Sequence, residues 1–160
     1  MAHLLRPVPL GFADDAPLRL VFTGELAAPA DAVQRALARD TEGWADWFAA
    51  VRSARAFEGG RAISLRGGIR FTETVLADEE ARRYAYRVDE TNAPGLSALL
   101  EDWHTRPAPA GGTQVEWVWA ADGPAPVRRL LRLARPGIAR AFSGAMRALD
   151  RRLAQRAPGG

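Results

Sequence analysis

The sequence predicts an α+β fold: a curved antiparallel sheet of seven strands wrapped around one long C-terminal helix, with two short helices between the first and second strands. Three observations carry this. Residues 51–122 form successive runs of alternating apolar and polar residues, divided by glycine pairs or short polar turns, the pattern of half-buried strands joined as hairpins. Ile138, Phe142, Met146, Leu149 and Leu153 recur at steps of four, four, three and four, the period of an amphipathic helix. Between the first strand and this region lie two short segments with helical spacing.

The elements follow in order. "LRLVFTGEL" (18–26) sets Leu18, Leu20 and Phe22 against Arg19, Val21 and Thr23, a strand with one strongly apolar face. "APADAVQRALARD" places Pro29 in a first helical turn and Asp31 at its positive end, with Val33 and Leu37 one turn apart. In "TEGWADWFAAV", Thr41 is a candidate cap and Trp44, Trp47 and Phe48 share a face at i, i+3 and i+4.

Strands are then expected in "VRSARAFE", "RAISLR", "IRFTETVLA", "RRYAYRVDE", "LSALLEDWHT" and "TQVEWVWAA", with glycine pairs at 59–60 and 67–68 as hairpin signals and "DEE" (78–80) as a turn. The Leu-rich start of "LSALLEDWHT" is also compatible with helix. Pro124 and Pro126 open the final helix, and Pro136-Gly137 is expected to kink or interrupt it. The 160 residues form one domain with its core at about 18–155; 1–15 and 157–160 are expected to be loose.

Composition excludes several chemistries. There is no cysteine, hence no thiolate nucleophile, disulfide or Cys metal site. All 22 basic residues are arginine, so no lysine is present for a phosphate loop or a Schiff base. The two histidines, His3 and His104, are too few for a usual zinc or iron site, and the acids lack EF-hand spacing, so no metal is expected. No cofactor is expected either: "GLSAL" lacks the second glycine of a nucleophile elbow, and no dinucleotide fingerprint occurs. No apolar run reaches the roughly 20 residues of a membrane span, and "MAHLLRPVPLGF" does not read as a signal peptide; a cytoplasmic protein, monomer or homodimer, is expected.

Charge is uneven. Residues 1–123 carry 13 arginines against 18 acids, and residues 124–160 carry 9 arginines against Asp150 alone. No nucleic-acid module accompanies the basic stretch, so nucleic acid is not an expected partner. Arg128, Arg129, Arg132 and Arg135 remain candidate contacts for an anionic protein or lipid.

A sheet of seven strands around a single helix leaves space between them, and such hollows suit an apolar small molecule. The element order resembles the helix-grip fold of the START-like superfamily, also called SRPBCC or Bet v 1-like. "LRLVFTGELAAPADAVQRALARD", "WADWF", "GGIRFTETVLADEEARRYAYRV" and "GGTQVEWVW" are similar to that group's opening strand and helix, second helix, central hairpin and last strand. The chain departs from the common pattern at Gln34, where tryptophan is frequent. The resemblance implies binding or transport of a polyketide, lipid or quinone-like molecule; alternatives are a cyclase or dehydratase using the same cavity, and a partner-binding protein using the basic helix.

On this register Phe22, Phe71, Glu73, Tyr84, Tyr86, Trp103, Trp117 and Trp119 face the helix, as cavity wall or filled core. Glu101 shares the face of Trp103; Trp47, Phe142 and Met146 come from the helices. Glu73, among Ile69, Phe71 and Val75, needs a partner or a chemical role. It could form an ion pair with an inward arginine such as Arg55, contact a ligand, or do acid–base work. Asp102 and His104 share the opposite face, and His104 is the other candidate proton-transfer residue.

Overall fold

A computed structural model describes residues 1–158. Seven long strands lie in the order β2 (Leu18–Leu26), β8 (Thr113–Asp122), β7 (Ala98–Pro107), β6 (Arg83–Thr91), β5 (Arg70–Glu79), β4 (Gly60–Leu65) and β3 (Val51–Phe57), every pairing antiparallel. The short helices α2 (Ala30–Ala38) and α3 (Trp44–Trp47) connect β2 to β3, and α4 (Ala125–Arg156) closes the chain. The α+β helix-grip architecture is therefore present.

The sheet has eight strands rather than seven. β1 (His3–Leu4) pairs with β6, and α1 (Phe12–Asp15) packs against β7 and β8. The expectation of a loose 1–15 is corrected: Leu5, Val8 and Ala13 are buried. Val8 and Ala13 join Ala98, Leu100 and Ala120 in a small cluster on the sheet face turned away from α4. That face needs cover because β7 is apolar on both sides, with Leu99 and Leu100 each fully buried. Of the C-terminal tail, residues 159–160 lie outside the described residues.

Hairpin chemistry matches the turns. Gly59, Gly67 and Gly68 have φ of 79°, 98° and 92°, left-handed values that side chains resist. β5 runs through Asp78 to Glu79, so the turn falls at 80–82, two residues later than "DEE" suggests. Register shifts between Thr72/Glu73 and Val75/Ala77 put bulges into the β5–β6 ladder, which bend and twist the sheet.

Pro29 stands as the N-cap of α2 rather than inside its first turn, and Gly43, not Thr41, precedes α3. Leu-rich β7 is strand throughout. The expected interruption at Pro136 does not occur: α4 runs 32 residues through it. Its buried residues, Phe142, Ala145, Met146 and Leu149, all lie in the second half, packed over β2 and α3. At Gly24 of β2 the helix comes so close that an added Cβ would stand 3.3 Å from Phe142 and Met146, tighter than relaxed packing tolerates.

Candidate functional site

Aromatic side chains fill one end of the space between sheet and α4. Trp103 and Trp117 stack with centroids 4.9 Å apart, Phe142 stacks on Trp117 at 5.7 Å, and Trp44 meets Trp103 edge-on at 5.6 Å. Phe22, Trp47 and Phe48 complete the cluster. Trp44 donates its Nε1–H to Leu37 O at 3.0 Å, which ties α3 to α2.

Beside this cluster, toward β3, β4 and β5, a hollow of about 210 Å³ remains. Ile63, Phe71, Tyr86 and Trp117 are among its buried walls; half-buried Ala50, Leu65, Trp119, Ile138 and Ala141 form the side nearest solvent. The geometry follows from the topology: α4 lies over β2, at one edge of the sheet, and the opposite edge is left with less cover.

A buried polar network borders the hollow. Arg61 of β4 stands directly across from Glu73 of β5; its Nε donates to Glu73 Oε2 at 2.5 Å, and both side chains are 2% exposed. The Arg61 guanidinium also lies 4.0 Å from the Tyr86 ring centroid and 4.1 Å from that of Trp44, positions that favour a cation electrostatically. Tyr86 donates its hydroxyl to Glu101 Oε2 at 2.7 Å and accepts Trp103 Nε1–H at 3.1 Å; Trp117 Nε1–H donates to the same Glu101 oxygen at 2.9 Å. Two donors at this wall, Arg61 Nη1 and Trp119 Nε1, have no hydrogen-bond partner among the described residues.

Two carboxylates thus share one guanidinium. Burial pushes the Glu73 carboxyl up to about 7, against the pull of Arg61, and Glu101 pushes it further up. Burial also raises the Glu101 carboxyl, opposed by the Tyr86 hydrogen bond and Arg61. Burial and the nearby Glu101 charge hold the Tyr86 hydroxyl well above its usual range. For Arg61, burial disfavours the charge but Glu73 outweighs it, so the guanidinium stays protonated. The arrangement makes Glu73 bind a proton more readily than a free carboxyl, beside an apolar space, and offers an N–H to an incoming oxygen.

The sheet brings together half of the predicted ligand contacts: Phe71, Glu73, Tyr86, Glu101, Trp117 and Trp119 line the hollow. Phe22, Trp47, Tyr84, Trp103, Phe142 and Met146 are buried in the packed core and do not line it. The partner expected for Glu73 was Arg55; that side chain is exposed, and Arg61 makes the pair instead. The signal for Arg61 in the sequence is its alternation with Ile63 and Leu65, which marks it as inward. His104 lies on the opposite face. Its Nε2 stands 3.0 Å from Asp102 Oδ2, which Arg83 also engages at 2.7 Å, so the Asp102–His104 pair is remote from the hollow. Burial alone would raise the Asp102 carboxyl, but His104 and Arg83 leave it lowered. Gln34 donates Nε2–H to Arg83 O at 3.0 Å, linking α2 to β6. Among the described residues no cluster of His, Asp and Glu suited to a metal occurs.

The family model for polyketide cyclase/dehydrase and lipid transport matches residues 18–157. The chain belongs to this family. Among solved structures it is similar to Zhui aromatase/cyclase from Streptomyces sp. R1128, at 20% identity with TM-score 0.70, covering 88% of this chain and 96% of that one. It is also similar to XoxI from Bacillus cereus, at 15% identity with TM-score 0.70, covering 89% and 99%. A START superfamily protein from Mycobacterium smegmatis aligns at 15% identity with TM-score 0.62, covering 82% and 98%. At these identities the likeness establishes the fold. No curated protein matches the chain.

Proposed function

We propose that the protein is a carrier or sensor of a compact hydrophobic molecule with one oxygen-bearing end, bound between the sheet and α4. The observation that carries this is Arg61 Nη1, a buried donor in the wall of a mostly apolar hollow that has no partner among the described residues. A desolvated guanidinium N–H left unpaired is costly, and a ligand carbonyl, phenol or carboxylate would satisfy it. Trp119 Nε1 offers a second donor. At about 210 Å³ the hollow is smaller than the ~300–1,000 Å³ of common ligand sites, which favours one or two rings over a long chain.

A second reading has its own support. Glu73, with its pKa near 7, suits a general acid–base residue of a cyclase or dehydratase, and one similar structure is that of an aromatase/cyclase.

Native mass spectrometry of the purified protein tests the first reading. A retained small molecule is expected, and it is lost from Ala141→Phe, which fills the hollow from α4. Protein that emerges empty, and binds no ring-containing acid or phenol in titration, overturns it. Glu73→Gln separates the two readings: a carrier changes affinity modestly, whereas an enzyme loses roughly 10²–10⁴-fold in turnover.

A further inference from the structure

We propose that the first half of α4 is a docking surface for an anionic lipid bilayer. Residues 124–149 contain six arginines and no Asp or Glu. From Arg129 to Gly137 every residue except Leu131 is exposed, because the helix meets the rest of the protein chiefly through Phe142 and residues beyond it. Within this stretch Leu130 and Leu133 are 65% and 73% exposed.

Their spacing is not random. Leu130, Leu133, Ala134 and Gly137 fall at i, i+3, i+4 and i+7, a stripe on the outer side of the helix. Arg129, Arg132 and Arg140 lie to one side of it and form no ion pair or hydrogen bond among the described residues. Arg128 and Arg135, by contrast, are engaged with the body of the protein: Arg128 donates to Gly123 O, and Arg135 donates to Val21 O and lies over the Phe22 ring. A helix that offers leucines outward beside a flank of unpaired arginines meets two demands that a bilayer satisfies together. Lipid phosphates take the arginines, and the acyl boundary takes the leucines. No described helix is long and apolar enough to cross a membrane, so the contact is one of lying on the surface.

The position of this ridge adds a consequence that rests on the proposed ligand cavity. Just past the C-terminal end of the stripe, Ile138 and Ala141 line the hollow. Docking by the stripe brings the solvent side of the hollow close to the lipid surface, where an apolar ligand is dissolved.

Co-sedimentation with ligand-free protein tests the docking alone. Vesicles of phosphatidylcholine are compared with vesicles also containing phosphatidylglycerol. Binding is expected only to the latter, weakening as salt rises. Arg129→Glu/Arg132→Glu/Arg140→Glu lowers the partition coefficient at least roughly a hundredfold, from a factor of about five per surface arginine. Leu130→Ser/Leu133→Ser lowers it roughly tenfold or more. Both variants keep the wild-type circular dichroism spectrum and the wild-type affinity for cavity ligands. No binding to phosphatidylglycerol vesicles, or binding untouched by the leucine changes, overturns the proposal. So does recovery of an acidic protein through the same arginines while vesicles are ignored. A protein that binds vesicles but no small molecule sinks the cavity reading and leaves this one standing.

Discussion

Glu73→Gln gives the sharpest stability test, because glutamine mimics the protonated acid and removes the titration. The folded carboxyl has a pKa of about 7 against an ordinary 4.5. A folded value above the unfolded one means that the folded state binds the proton more tightly. The stabilisation from that proton is therefore complete below about pH 4.5 and is lost as pH rises through about 7. The interval from 4.5 to 7 corresponds to on the order of 3 kcal/mol for a fully buried group. Urea denaturation of the wild type and the variant at pH 5 and pH 8 measures it, the difference cancelling all other titrations. Wild-type stability should fall relative to the variant by up to that amount between the two values, and the change should centre between pH 5 and 7. Parallel pH profiles, or a wild type that gains on the variant as pH rises, would refute the account of a desolvated Glu73.

Two further perturbations probe the same wall and the core beside it. Arg61→Met leaves Glu73 and Glu101 buried without their cation and should cost about 3–5 kcal/mol at pH 8; adding Glu73→Gln should recover part of it, and a double variant no better than the single contradicts the pairing. Phe142→Ala removes a ring packed against Phe22, Trp103 and Trp117 and should cost about 3–5 kcal/mol in urea melts, whereas a cost below about 1 kcal/mol would mean that α4 is not anchored there.

Much of the site was legible because a strand encodes its faces with period two. Phe71, Glu73, Tyr86, Glu101, Trp117 and Trp119 were assigned inward from alternation alone, and all six border the hollow. Alternation marks Arg61 as inward, but its pairing with Glu73 was not legible. Arg55 and Arg61 lie on the two strands of one hairpin, and pairing register, not composition, puts Arg61 opposite Glu73. The N-terminal segment gave no periodic signal either. Its burial arises because β7 presents Leu100 on the outer face, next to Ala98, so residues 5–13 have an apolar surface to cover.

Local chemistry alone determined the elements from β2 onward and the faces of their strands, and with them the choice of a sheet gripping one helix. Alternation, glycine pairs and a four-three stripe are short-range properties that each segment carries with it. Only the tertiary structure decided that β2 pairs with β8, Leu18 opposite Ala121, across almost the whole chain. It also decided that Trp103, Trp117 and Phe142 pack solid while a hollow of about 210 Å³ persists beside Arg61. Close packing depends on how side chains from distant segments interlock, and no single segment holds that information.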